Sequence, residues 1–280
     1  MAAFCCIVRI YHFYVVISIP KFNFFTIFLR GFSKTNRVLE KAQLTSRDNI
    51  PYSKKMLLYI IRHGEPDYKT DTLTEVGIKQ AQLLSQRLSS VKFDRIFSSP
   101  LGRAKQTAMP TCEKQNKDFE VLPWLNEDLA YKAMSAEVNG KKDWWFAVQN
   151  TKIRTPDGAK KYATKNTKKF YESTTASFDS FLSTIGYEKN KSGYKITENK
   201  YSRIAFFCHN GISNILLSHA LLIPFNIFCA SFSIPHTGVT VLEFASTDDK
   251  LTAPRCLMFS DLSHLYNTQL KNIYNNSIDI

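Results

Sequence analysis

The chain has 280 residues, enough to bury one large α/β core, whereas two ordinary compact domains would fit only tightly. With 44% hydrophobic and 22% charged residues, its composition is that of a globular protein, which excludes global disorder and a multi-span membrane protein. The formal charge of +13 is local: residues 1–55 and 131–170 carry +7 each, the remainder sums to −1, and no nucleic-acid-binding pattern accompanies it, so no nucleic-acid partner is expected.

The first thirty residues hold two apolar runs, Phe13 to Ile19 and Phe22 to Leu29, separated by Pro20 and Lys21. Both are shorter than the roughly 18–20 apolar residues of a membrane-spanning helix. No acidic residue precedes Glu40, while five basic ones do. Residues 1–55 are therefore read as an extension: a presequence, an anchor, or an artefact of start-site choice, since Met56 would itself be a sensible start. Cytoplasmic location is expected, with mitochondrial or membrane-associated location as the alternatives if the extension is genuine. Six scattered cysteines without a CxxC pair point to buried thiols in a reducing compartment, and no structural metal is expected.

From Met56 the pattern changes to short apolar runs alternating with helical periodicity. Leu57 to Ile61 reads as a strand covered on both faces. Thr74 then caps a helix whose apolar face includes Val76, Ala81, Leu84 and Leu88. Asp94 to Phe97 is a second strand, followed by a helix through Ala104 and Ala108, and Phe119 to Leu122 is a third. Arg203 to Cys208 is a fourth, with a helix from Ile212 to Leu222 behind it, and Val239 to Phe244 and Arg255 to Phe259 complete the series. This alternation predicts a three-layer α/β/α sandwich with a mostly parallel central sheet. Residues 125–200, rich in Lys, Trp and Tyr, break the rhythm and are read as a helical lid insertion above the strand ends, where ligands bind in open α/β sheets.

Three strand ends carry chemistry. Arg62-His63-Gly64-Glu65 follows the first strand, Ser98-Ser99-Pro100-Leu101-Gly102-Arg103 the second, and Cys208-His209-Asn210-Gly211 the fourth. A neutral imidazole attacks phosphorus if its far nitrogen holds the proton against a fixed acceptor. Two guanidiniums suit the equatorial oxygens of a transferring phosphoryl group and oppose protonation of a nearby histidine. A carboxylic acid beside the leaving oxygen supplies its proton.

With RHGE at 62–65, LTEVGIKQA at 73–81, SSPLGRAKQTA at 98–108, LNE at 125–127 and HNG at 209–211, the chain resembles the histidine phosphatase, or phosphoglycerate-mutase-like, superfamily over residues 57–244. The resemblance implies that residues 56–280 form the phosphatase domain and that His63 is the phosphorylated nucleophile. It implies that Arg62, Arg103 and His209, with Asn210, hold the phosphoryl group, that Glu127 is the proton donor, and that no metal or other cofactor takes part. Asp128 is an alternative donor, whereas Asn210 stands where a second branch places an acid and cannot donate as one. His236-Thr237-Gly238 precedes a strand and is a candidate to bring a backbone amide to the phosphate, while His219 is expected to be packed in the core. His12 and His264 lack a motif, and Trp144, Trp145 and Phe146 are read as lid packing.

Pro156-Asp157-Gly158-Ala159-Lys160 and Pro66-Asp67-Tyr68 depart from the subgroup patterns of small-molecule phosphatases and mutases. The expected activity is thus hydrolysis of a small-molecule or protein phosphomonoester of unspecified identity. The alternatives are a phosphoglycerate-type mutase and a non-catalytic scaffold, and membrane association through residues 1–55 stays open.

Overall fold

Strands form where apolar side chains alternate between two covered faces, and Lys55–Arg62 shows this most fully. Met56, Leu58 and Ile60 face one hydrophobic layer and Leu57 and Ile61 the other. The computed structural model describes residues 6–10, 13–17, 55–128, 130, 135–138, 141–144, 154–155, 157–158, 163–246, 250–266, 268 and 270. The chain divides into two compact units, Met1–Asn49 and Ile50–Ile280. In the first, Cys6–Ile10 (β1) and Phe13–Ile17 (β2) pair antiparallel, with Cys6 opposite Ile17 and Ile10 opposite Phe13. No helix among the described residues is long and apolar enough to cross a membrane.

The second unit runs in chain order as follows. Lys55–Arg62 (β3) leads through a small hairpin, Pro66–Asp67 (β4) and Thr72–Leu73 (β5), into Glu75–Leu88 (α1). Arg95–Ser98 (β6), Gly102–Gln115 (α2) and Phe119–Val121 (β7) follow. A 3-10 turn at Pro123–Leu125 precedes two short paired strands, Ser135–Val138 (β8) and Lys141–Trp144 (β9). Then come Lys165–Thr184 (α3), the hairpin Tyr187–Asn190 (β10) and Gly193–Ile196 (β11), Arg203–Cys208 (β12), Asn210–Ala220 (α4) and Phe225–Ser231 (α5). Val239–Ala245 (β13), Leu251–Thr252 (β14) and Arg255–Asp261 (β15) close the fold.

The main sheet has the order β15-β13-β3-β12-β6-β7. β3, β12, β6 and β7 are mutually parallel, while β13 runs antiparallel to both its neighbours. Residues of α1 and α2 (Leu84, Leu88, Ala108, Cys112) join the layer on one face. Residues of α3, α4 and α5 (Phe178, Leu182, Leu216, Phe228) join the layer on the other, which gives the expected three-layer α/β sandwich. Fully burying a side chain such as Phe178 or Leu182 stabilises the fold by about 1.5–3 kcal/mol each.

The reading of residues 125–200 as a helical insertion needs amendment. α3 supplies core residues beneath the sheet, and β10, β11 and β14 form a separate three-stranded antiparallel sheet. Tyr187, Tyr194 and Ile196 are buried while Glu188 and Lys195 are exposed, so a period of two governs this stretch. Residues 145–153 and 159–162, including Trp145, Phe146, Lys160 and Lys161, lie outside the described residues, and His12 does too.

Candidate active site

The parallel strands all deliver their carboxyl ends to one edge of the sheet, and Arg62, Ser98 and Cys208 sit there in register: Cys208 pairs with Arg62, and Phe207 with Ser98. His63 and His209 are the next residues along the two central strands. His63, Arg62, Arg103, His209 and Glu127 are all at most 7% exposed. So many buried polar groups in one place demand specific partners.

The His63 Nδ1 lies 2.6 Å from the Gly64 carbonyl oxygen, which can only accept, so the proton is on Nδ1 and Nε2 carries the lone pair. Burial, followed by Arg62, His209 and His236, holds this imidazole well below its ordinary value, against a smaller opposing effect of the Gly64 carbonyl. The Gly64 amide donates to Thr107 Oγ1 at 3.0 Å, and Thr107 Oγ1 donates to the Arg103 carbonyl at 2.7 Å, tying the histidine loop to α2. A Cβ on Gly64 would stand 2.7 Å from the Gly77 carbonyl oxygen, so this turn requires glycine where it meets α1.

Arg103 lies in the first turn of α2 and donates to Asp71 Oδ1 at 2.6 Å. The other oxygen of Asp71 accepts from the Gly102 amide at 2.6 Å, so one carboxylate caps α2 and anchors the arginine. Tyr68, 60% exposed, places its ring 5.4 Å from the same guanidinium.

His209 precedes α4 as its N-cap residue and is fully buried. Its Nε2 lies 2.7 Å from Ser99 Oγ, its Nδ1 has no partner among the described residues, and its ring centroid is 5.0 Å from that of His63. Burial, then Arg103 and Arg62, keep it well below the ordinary histidine value. Glu127 reaches the same helix start, accepting from the amides of Gly211 at 3.1 Å and Ile212 at 3.3 Å. Burial outweighs these donors and both arginines, and its carboxyl is pushed up to about 7.

Sequence reasoning thus finds side chains that the fold brings together from four separate segments. Asn210, half-buried, opens α4, but its Oδ1 accepts from Asn214 Nδ2 at 3.3 Å along the helix. Asp128 is exposed, and its amide donates to Asn126 Oδ1. Two participants were missed. Asp71 precedes the LTEVG motif, and its acidic side chain just ahead of a helix-capping threonine was the available signal. The His236 imidazole lies 3.0 Å from Arg62 Nη2, with its ring 5.4 Å from that of His63. The amide near the catalytic loop is that of Thr237, which donates to the carbonyls of Arg62 and His63. Thr237 has φ of 56°, a left-handed conformation that costs a non-glycine residue about 1–2 kcal/mol.

His219, expected in the core, is instead bonded to both oxygens of Asp179 at 2.9 Å. Cys112, Cys208 and Cys229 are free and buried. Among the described residues, no group of three His, Cys, Asp or Glu side chains is arranged to hold a metal ion.

Residues 58–172 match the model of the histidine phosphatase superfamily, branch 1. Over that segment the chain is similar to that superfamily. Over 80 residues it is 38% identical to the fructose-2,6-bisphosphatase TIGAR of Xenopus tropicalis, covering 24% of this chain and 29% of that protein. Over 81 residues it is 37% identical to the adenosylcobalamin/alpha-ribazole phosphatase of Escherichia coli, covering 26% and 40%. The chain therefore spans less than half the length of these curated relatives. A mycobacterial glucosyl-3-phosphoglycerate phosphatase superposes with a TM-score of 0.50 at 16% identity, over 74% of this chain and 100% of that one. The phosphoserine phosphatase of Entamoeba histolytica does so with 0.51 at 18% identity, over 75% and 99%. These two show a shared fold.

Proposed function

We propose that the protein hydrolyses a small phosphomonoester through a phosphohistidine on His63. The observation that carries this reading is the His63 imidazole, whose Nδ1 proton is committed to the Gly64 carbonyl while burial, and then the Arg62 guanidinium, keep the ring neutral. Its Nε2 lone pair forms the bond to phosphorus as the bond from phosphorus to the ester oxygen breaks, and the electron pair leaves with that oxygen. Glu127, with its carboxyl near 7, gives that oxygen a proton, then takes one from the water that attacks the phosphohistidine. Arg62, Arg103 and His209 hold the equatorial oxygens in this scheme, with Asn210 at the helix start, and the guanidiniums supply the positive charge that the transition state needs. Small phosphorylated metabolites are the substrate class favoured, because the relatives at 37–38% identity are named for such substrates.

The test is to measure inorganic phosphate released from p-nitrophenyl phosphate and from a panel of sugar phosphates, alongside phosphoglycerate isomerisation and acid-labile phosphoenzyme. Phosphate release with label on His63 is expected, unchanged by EDTA. Isomerisation without net hydrolysis would assign a mutase instead, and EDTA inhibition reversed by added metal would refute the metal-free scheme.

A further inference from the structure

Two contacts of the Arg62 side chain run to one short segment that the reaction scheme does not use. Nη1 donates to the Ile234 carbonyl at 2.5 Å and Nη2 meets His236 Nε2 at 3.0 Å. A guanidinium only donates, so His236 Nε2 accepts and the proton of this ring sits on Nδ1. We propose that His236 is a positioning residue for Arg62, fixing the plane in which the guanidinium meets the phosphoryl group. This rests on the phosphohistidine reading of the site.

The segment that carries His236 is itself fastened. Pro235 to Gly238 form a turn closed by the Gly238 amide on the Pro235 carbonyl at 3.0 Å, and the Thr237 amide donates to the carbonyls of Arg62 and His63 at 3.1 and 3.2 Å. Thr237 Oγ1 donates to the His236 carbonyl at 2.7 Å and accepts from His264 Nε2 at 3.0 Å. His264 Nδ1 lies 3.4 Å from Arg87 Nη1, which also pairs with Asp261 Oδ1 at 2.7 Å. The left-handed Thr237 is thus held from several sides, as a strained residue at a working site has to be. Protonating His236 on Nε2 would break the bond to Arg62 and set two cations against each other in a buried place. Burial and Arg62 accordingly lower His236 to about 2, so it stays a neutral acceptor at any working pH.

A double-mutant cycle with Arg62 tests the assignment, because residues acting through one contact are non-additive whereas independent structural effects multiply. His236→Phe keeps the ring volume without the acceptor and is expected to lower kcat/KM for p-nitrophenyl phosphate about 30–100-fold, part of the loss typical of one electrostatic contact. Arg62→Ala should then cost far less in the His236→Phe background than in the parent, and His236→Gln, which restores an acceptor, should recover most of the loss. Independent, multiplying losses, or full activity in His236→Phe, would overturn the proposal. Nitrogen-15 spectra of the unmutated protein give a second reading that does not depend on how the variants fold: His236 must be a neutral Nδ1–H tautomer, and an Nε2–H signal would refute it. The same cycle run on orthovanadate affinity by calorimetry works without turnover. Absence of phosphoenzyme in the parent therefore refutes the phosphohistidine reading alone, while additive vanadate affinities refute the role of His236.

Discussion

Helix α4 carries a histidine at each end, and the two are used in opposite ways. His209 stands at the start, where burial, then Arg103 and Arg62, disfavour a cation. Its ring is kept neutral, and its Nδ1 is left without a partner among the described residues. His219 stands in the last turn, and both oxygens of Asp179 face it, with the Tyr194 hydroxyl also bonded to Asp179. One end gathers two arginines, one of them paired with Asp71, around buried neutral histidines. At the other end His219 is bonded within the protein to Asp179, which is how a stabilising contact differs from a working one.

The strongest way to break this contrast is mutation at both ends. His63→Ala should abolish turnover and phosphoenzyme formation, and Arg103→Ala should fold normally while losing at least about 100-fold in rate. His219→Leu should leave kcat/KM unchanged. Phosphatase assays on the three purified variants decide this: near-normal turnover in His63→Ala removes the mechanism, and a large rate loss in His219→Leu removes the contrast.

A smaller effect concerns Glu127, the acid docked on the catalytic end of α4. Its carboxyl is raised from the ordinary 4.5 to about 7, so it is protonated below that and loses its proton as pH rises through it. Hydrolysis of alkyl phosphates, which need a proton on the leaving oxygen, should fall above about pH 7, while p-nitrophenyl phosphate, with a good leaving group, should not follow. Glu127→Gln should slow the alkyl substrate far more than the aryl one, and equal slowing would point to Asp128. The same shift bears on stability. The folded protein holds this proton more tightly than the unfolded chain, so the contribution is full below about 4.5 and is lost as pH rises through 7. Thermal melts should show Glu127→Gln gaining on the parent at pH 8 relative to pH 5. Removal of the His219 bonds at the other end should cost about 1.5–3 kcal/mol in denaturant unfolding, the scale of hydrogen bonds to a charged group.

Much of the fold was readable because the central strands are covered on both faces. Arg203–Cys208 matches its apolar run residue for residue, and Thr74 caps α1 as expected, accepting from the Gly77 amide. The hairpin at 187–196 was overlooked although its signals were present: buried residues alternate with exposed ones, and Gly193 sits at φ 158°, close to extended, where its Cβ would meet the Thr252 carbonyl oxygen at 2.2 Å. Of the site, the residues within motifs at strand ends were found. Asp71 and His236 were not, since each acts on an arginine far away in sequence, 32 and 174 positions off, and only the folded chain makes them neighbours.

The weakest effect expected is long-range. Residues 131–170 carry +7, and if this charge lies near the phosphate site it should raise capture of an anionic substrate. Lys165 and Lys168 are exposed in the first turns of α3, and Lys168 has only a distant, solvent-exposed contact with Glu172 at 3.9 Å; Lys160 and Lys161 lie outside the described residues. Exposed pairs of that kind are worth little, so the contact with Glu172 does little to offset the Lys168 charge. Attraction of this sort fades as the Debye length shrinks from about 10 Å at 0.1 M salt to about 3 Å at 1 M. Changing Lys160, Lys161, Lys165 and Lys168 to Glu should therefore lower kcat/KM at low salt and flatten its salt dependence, with kcat nearly unchanged, because capture and not chemistry is altered. Stopped-flow or steady-state rates across a salt series read the effect directly. A quadruple variant with the parent's kcat/KM at every ionic strength would show that the basic stretch is only a solvated surface, and that positive charge matters to this protein only where Arg62 and Arg103 hold it.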